Sequence, residues 1–519
     1  MSASERPAFY LTTAIAYPNG VPHIGHAYEY ISSDALARFK RLDGFDVFYM
    51  TGTDEHGQKV QQAAKAAGLS EQEYASGNSD VFEKMDKALD ISFDRFIRTT
   101  DADHLAASAA IWERMVEAGD VYLDTYAGWY SVRDEAFYTD EETTVLEDGT
   151  RVSTDTKTPV EWTEESNYFF RLSKYQDKLL ELYETHPEFI APATRRNEIV
   201  SYVKAGLKDL SISRTTFDWG VPVPGHPEHV MYVWVDALTN YLTGAGFPNT
   251  DSASFRKYWP ADLHIIGKDI SRFHTVYWPA FLMSAGIELP KRVFVHGFVN
   301  VKGEKMSKSV GNVVDPMDLV ETFGLDAVRF FLLREISYGQ DGSYSDEAII
   351  GRINSDLANE YGNLAQRCLK MVGRDFGGVV PTPGELTEDD KALLERANGL
   401  LEKVRAEFDQ QQIHLGLEQL WLTLGETNRY FSAQAPWTLA KSGTPEDVAR
   451  EATVLYVTME VLRIVSILVQ PVIPASGGKI LDLLGVTDRN FADIATPLVP
   501  GTTLPEPEVV FPKYVAPKA

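Results

Sequence analysis

The sequence predicts a chain in three parts: a parallel α/β sheet, an insertion interrupting it, and a helix bundle toward the C-terminus. Three observations carry this. Strand-like apolar runs alternate with helical stretches in the first third and again after residue 229, as in a parallel sheet with helical crossovers. Between Val121 and Glu228 the pattern gives way to short strands, acidic turns and scattered aromatics. Beyond Gly351 the apolar residues recur almost purely at helical period.

Taken in order, Phe9 to Ala16 reads as a strand, Ala27 to Lys40 as a helix and Asp46 to Gly52 as a second strand, with helical sequence following to Gly119. Asp140 to Glu142 and Glu147-Asp148-Gly149 mark turns in the insertion. Asp262 to Ile266 and Arg292 to His296 are strands, and Ile270 to Ala285 is a helix. The bundle comprises amphipathic stretches at 351–372, 387–409, 414–434 and 446–469. After Asn490 the proline-rich tail is expected to pack back as an extended strap.

At 519 residues the chain exceeds what one core usually supports. Its net charge of −26 argues against a protein that coats nucleic acid by bulk electrostatics, so any RNA contact must come from a few placed residues. Met1 to Phe9 has no basic segment leading into an apolar run, so no secretory signal is expected. The most apolar stretch, Val461 to Val469, contains Arg463 and stops at Pro471, short of a membrane span. A cytoplasmic protein without a membrane partner is the expectation. The single cysteine, Cys368, excludes an intramolecular disulfide and any zinc site built from several thiolates.

Two segments carry chemistry. Tyr17-Pro-Asn-Gly-Val-Pro-His23-Ile-Gly25-His26 lies directly after a strand and before a helix, the junction where parallel sheets bind ligands and helix N-termini present N–H groups to anions. Gly25 permits close backbone approach, and His23 and His26 can donate to phosphate oxygens as charge builds. Alone, a His-x-x-His turn is more often a satisfied polar turn. Lys305-Met306-Ser307-Lys308-Ser309 follows a strand, Arg292 to Asn300, and a potential hinge, Gly303. Its two lysines can close over a triphosphate and neutralise departing pyrophosphate. Such a loop alone is usually solvated surface; the two segments together, in this order and at these strand ends, are specific.

These segments resemble the two signature sequences of class I aminoacyl-tRNA synthetases, and from Ala14 onward the chain is similar to the methionyl-tRNA synthetase family throughout. The resemblance implies a Rossmann-type catalytic domain with an inserted connective domain, then an all-α anticodon-binding domain. The expected divisions are 1–120 and 229–297 for the catalytic halves, 121–228 for the insertion, 298–350 for the signature loop and stem contacts, and 351–519 for the helical domain and strap.

The resemblance also implies roles. His23, His26, Lys305 and Lys308 are the catalytic set, and Gly25, Gly267, Asp269 and Lys308 bind ATP, which brings Mg²⁺ on its phosphates. Ala14, Ile15, Tyr17, Trp234, Ala237, Leu238, Tyr241, Ile270 and His274 surround the methionine side chain, and Asp54 holds its amino group. Spacing agrees in part: residues 234, 237, 238 and 241 share one helix face, and 270 and 274 lie one turn apart. A helical stripe of this kind alone usually means core. Asn359, Asn363 and Arg367 form a polar stripe displaced by about 200° from the apolar stripe Leu357, Tyr361, Leu364, Cys368 and Val372. In the family the matching polar residues, with a tryptophan corresponding to Trp437, read anticodon bases of tRNA(Met); a solvated helix face is the alternative.

The chain departs from many relatives in three ways. The stretch Asp134 to Thr163 has no cysteines, so the insertion is expected to hold no structural zinc. Leu238 stands where proline is frequent, which keeps the wall apolar. The sequence ends soon after the bundle, so a monomer without the C-terminal module of some relatives is the expectation. Other readings are a leucine, isoleucine or valine enzyme, for which 121–228 is short to hold an editing domain, and a cysteine enzyme, which would need thiolate-bound zinc. A catalytically silent tRNA-binding paralogue would be expected to lose phosphate-contacting residues, all four of which are present here. A simpler nucleotidyltransferase would not need the helical domain.

Overall fold

Apolar runs that continue without a polar face need cover on both sides, and here they form the middle of a parallel sheet. The computed structural model describes residues 6–134, 136–304, 306 and 312–515. Its six-stranded sheet has the order Arg95–Arg98, Asp46–Thr53, Ala8–Thr13, Leu263–Gly267, Val293–His296, Ile190–Ala191. Thr12 pairs with His264, Thr51 with Phe96 and Val293 with Ile190, all in parallel register. Every residue of Leu263–Gly267 is buried.

The chain divides into two compact units, one of residues 9–22 and 48–295, the other of 1–8, 23–47 and 296–519. The first contains the body of the sheet and the insertion, in which Val121–Ser131 and Glu161–Phe170 pair antiparallel, flanked by Ala136–Tyr138 and Leu210–Ser211. Helix Val233–Ala245 approaches the sheet at Gly244, where a Cβ would fall 2.3 Å from Met50 Sδ and 2.5 Å from the Tyr10 hydroxyl. Any larger residue there would displace the Met50 or Tyr10 side chain, or the helix itself. The helix expected over 270–285 is instead a 3₁₀ turn, Lys268–Ile270, a π-helical turn, Phe273–Tyr277, and an α-helix, Trp278–Ala285. An apolar pattern does not distinguish these registers over so short a span.

In the second unit, helix Ile24–Leu42 starts three residues earlier than expected because His23 caps it. The run expected as one strand, 292–300, breaks into Val293–His296 and Val299–Val301; the latter pairs in parallel with Gly342–Tyr344. At the break, a Cβ on Gly297 would meet the Gln340 backbone at 2.3 Å. The first bundle element runs as Asp346–Arg352, a π-helical stretch Ile353–Gly362, and Asn363–Asp375. Then come Glu388–Asn398, Leu400–Asp409, Ile413–Gln434 and Pro445–Val469.

By length and composition Pro445–Val469 could cross a membrane, against the expectation from its apolar run, but 94% of that window is buried inside the protein. It is a core helix. Two of its buried charges pair with each other: Arg463 Nη2 donates to Glu460 Oε2 at 2.9 Å and to the Ile494 carbonyl at 2.9 Å. The tail packs back as expected, Thr503 bridging to Val379 and Tyr514 exchanging hydrogen bonds with the Asn354 amide at 2.8 and 3.1 Å. Cys368 is fully buried, its Sγ 3.6 Å from the Leu455 carbonyl.

Candidate functional site

Past strand Ala8–Thr13 the backbone stays threaded between its neighbours. Ala14 N donates to Ile265 O at 3.0 Å, Ala16 N to Gly52 O at 2.9 Å, and Asp54 N to Ala16 O at 2.8 Å. Ala14, Ile15, Tyr17 and Asp54 therefore stand at the carboxyl edge of adjacent parallel strands. Gly267 ends the next strand, and Asp269 is exposed in the turn after it.

Helix Val233–Ala245 buries Ala237, Leu238 and Tyr241, while Trp234 stays half-buried. Ala14, Leu238 and Tyr241 share one apolar cluster, against which Ile15, Trp234, Ile270 and Phe273 pack. The indole of Trp234 stacks on Phe273 with centroids 3.8 Å apart and planes 10° apart. Tyr241 lies on the His264 ring at 4.1 Å, and its hydroxyl is 2.6 Å from His274 Nε2. His274 Nδ1 is 3.0 Å from the Ile270 carbonyl, which can only accept, so Nδ1 carries the proton and Nε2 accepts from Tyr241. Burial lowers the His274 pKa to about 4, against the pull of that carbonyl, so the ring is neutral. The result is an uncharged aromatic wall, suited to a polarizable apolar group.

This depressed basicity has a stability consequence. Unfolded, His274 protonates near its ordinary pKa of about 6.5; folded, it stays neutral down to about 4. Its contribution is therefore complete above pH 6.5 and is lost as pH falls from 6.5 to 4, at up to about 1.4 kcal/mol per pH unit. Urea midpoints of the parent and His274→Gln are expected to converge between pH 7 and 4.5. A gap that stays constant would refute this assignment.

His23 and His26 form a capping box built from imidazoles. His23 Nδ1 accepts from Gly25 N at 3.1 Å, and His26 Nδ1 accepts from His23 N at 3.2 Å. With both Nδ1 atoms accepting, each neutral ring carries its proton on Nε2. Burial, and secondly the His23 ring beside it, push the His26 pKa down to about 3, making it a neutral N–H donor. A Cβ on Gly25 would fall 2.9 Å from the His23 ring and 3.8 Å from Met306 Cε, and Ile24 N donates to Val314 O at 3.0 Å. Met306, inside the second motif, and Val314, just after it, thus lie against the helix start that bears the first. Lys305, Ser307, Lys308 and Ser309 lie outside the described residues.

On the first bundle element the apolar stripe 357, 361, 364, 368 and 372 is buried, and Asn359 and Asn363 are exposed. Asn359 falls in the π-helical stretch, so the α-helical spacing used to align it with Asn363 does not hold there. Arg367 sits over the rings of Phe431 and Trp437, 5.2 Å from each, and Trp437 is 37% exposed. Sequence reasoning missed what anchors the end of helix Ile413–Gln434, three residues before Trp437: Arg450 donates to both Asp390 oxygens, at 2.5 and 2.8 Å, and to Gln434 Oε1 at 2.8 Å. No local pattern announces partners so far apart in sequence. It also missed Phe273, whose stacking depends on the π-helical turn.

Within the stretch Asp134 to Thr163, Asp134 is the centre of a hydroxyl cluster, accepting from Thr156 at 2.5 Å, Tyr138 at 2.9 Å and Thr158. Burial works against its charge, but the hydrogen bonds from Thr156, Thr158 and Tyr138 hold it below the usual carboxylate range.

The family model described as tRNA synthetases class I (M) matches residues 9–369, and the anticodon binding domain of methionyl tRNA ligase matches 380–517. The chain is 66% identical over 512 residues to the methionine–tRNA ligase of Mycobacterium bovis, covering 98% of each. It is 60% identical over 514 residues to that of Brucella suis, covering 98% of this chain and 99% of the relative. Among solved structures it resembles Mycobacterium tuberculosis methionyl-tRNA synthetase in complex with methionyl-adenylate, with a TM-score of 0.96 at 65% identity, over 98% of this chain and 100% of that one. The apo form of that enzyme gives a TM-score of 0.90 at 62% identity, over 99% of each chain.

Proposed function

The chain belongs to the class I methionyl-tRNA synthetases, and on that footing we propose how its residues share the work of the reaction. The enzyme joins methionine to ATP as an adenylate with loss of pyrophosphate, then passes methionine to the 3′ end of its tRNA. The observation that carries our assignment is the neutral wall of Trp234, Tyr241 and His274, in which the tyrosine proton is engaged by an imidazole that cannot readily charge. Such a wall favours a thioether and disfavours a charged side chain. Asp54 supplies the fixed anion for the α-amino group, with Ala14, Ile15, Tyr17, Ala237, Leu238 and Ile270 completing the pocket.

The methionine carboxylate attacks the α-phosphorus, and no side-chain nucleophile is needed. His23 and His26, as Nε2–H donors, and Lys305 and Lys308, as cations, stabilise charge developing on the phosphates. Gly25, Gly267 and Asp269 receive the nucleotide. Imidazole N–H and ammonium groups suit phosphate oxygens and not a cation; a Mg²⁺ carried on the ATP phosphates would neutralise phosphate charge, with the Asp269 carboxylate the one group of this set that could face it. In the second step Asn359, Asn363, Arg367 and Trp437 read the anticodon, Trp437 stacking on an unpaired base with Arg367 behind it. We place the enzyme in the cytoplasm as a monomer.

Amino-acid-dependent ATP–pyrophosphate exchange across the twenty common amino acids tests the pocket. Methionine alone is expected to support exchange well above background. No exchange with any amino acid would indicate a silent paralogue, and comparable exchange with leucine, isoleucine or valine would overturn the pocket assignment.

A further inference from the structure

His56, His104 and Asp236 have no part in the contacts assigned above, yet they form a continuous buried cluster in the unit of residues 9–22 and 48–295. Asp236, 1% exposed, lies two residues after Trp234 and directly before Ala237 on helix Val233–Ala245. Its Oδ2 is 2.7 Å from His56 Nδ1, and its Oδ1 is 2.7 Å from His104 Nε2. The imidazoles must donate, because an ionised carboxylate only accepts. His104 is itself fixed by Thr243 Oγ1 at 3.0 Å and Ser108 Oγ at 3.3 Å.

His56 belongs to the segment that carries Asp54, and the backbone there is held at several points. Glu55 N donates to Thr99 Oγ1 at 2.8 Å, Trp219 Nε1 donates to Glu55 O at 2.7 Å, and Gly57 N donates to Trp219 O at 3.1 Å. The Trp219 ring also meets the His56 ring edge-on at 5.3 Å. Asp236 thus joins two pieces of backbone that grip opposite ends of one small substrate: the loop with the amine-binding carboxylate and the helix with the side-chain wall. Charge-assisted hydrogen bonds away from water fix such a separation more firmly than apolar packing alone.

We propose that the His56–Asp236–His104 bridge is a positioning device that sets the distance between the amine anchor at Asp54 and the side-chain wall on helix Val233–Ala245, and so sets affinity for methionine. The inference rests on the pocket reading given above. Both ends of the substrate are gripped before and during adenylate formation, so loosening the bridge acts on KM for methionine more than on kcat.

The test is pyrophosphate exchange with the full-length protein and the variants Asp236→Asn, His104→Gln and Thr243→Val, with Asp54→Ala as a reference. Asp236→Asn is expected to raise KM for methionine about tenfold, with His104→Gln and Thr243→Val following in smaller steps, while KM for ATP stays within about twofold. The inference is overturned if folded Asp236→Asn and His104→Gln keep the parental KM for methionine, or if both KM values move together. Failure of all three variants to fold would overturn it too, since the cluster would then be a structural staple. An unchanged KM in Asp54→Ala would instead sink the pocket reading itself.

Discussion

Replacing Asp34 with alanine is expected to destabilise the protein by about 3–5 kcal/mol, the range for breaking a buried ion pair from one side. Asp34 and Arg329 are both fully buried, with Arg329 Nη2 2.6 Å from Asp34 Oδ2. The same guanidinium donates to the carbonyls of Val472 at 2.9 Å and Pro471 at 3.0 Å, and Arg38 reaches Asp34 Oδ2 at 2.7 Å. One carboxylate thus ties helix Ile24–Leu42 to helix Leu325–Glu335 and to the turn after the long core helix. Its removal strands a guanidinium in a place water does not reach, and the melting transition should fall by about 3–5 °C, given the size of the chain. The paired change Asp34→Leu with Arg329→Met should cost much less, because desolvation offsets most of what an intact buried pair gains. Equal losses in the single and double variants would show that shape, not charge, governs this site.

His26→Ala and Lys308→Ala are each expected to slow adenylate formation about 10²–10³-fold, as loss of a transition-state donor does, while methionine affinity stays within a few-fold. Single-turnover measurement with equilibrium methionine binding separates the two quantities. Since His26 stays neutral down to about pH 3, it acts as a hydrogen-bond donor without titrating in the working range. The rate should therefore show no break near pH 6.5 that disappears in His26→Ala. Such a break would make the ring a proton carrier and overturn its assigned part.

Much of this was legible in one sequence, for physical reasons that differ by region. The buried parallel strands announced themselves because cover on both faces demands unbroken apolar runs such as Leu263 to Gly267. The two signature segments stood out because each concentrates within a few residues the histidine, lysine and glycine that phosphate binding calls for. The buried stripe from Leu357 to Val372 kept its apolar character even where the backbone widens to a π-helix. What escaped was the register itself: over five or ten residues, nothing in hydrophobicity separates α from π, so the stacking of Phe273 on Trp234 and the departure of Asn359 from α-helical spacing stayed hidden. Buried polar links such as Asp236 to His56 and Arg450 to Asp390 escaped for another reason. Each joins residues 60 or more apart in sequence, and a hydrogen bond leaves no periodic trace.

The lone thiol at 368 offers an optical clock for the helical region. Burial pushes its pKa well above the ordinary range, and the chain supplies no second sulfhydryl to confuse the signal. Labelling by a chromogenic disulfide reagent must therefore wait for the surrounding helices to part, so its rate in native buffer would report how often they do so.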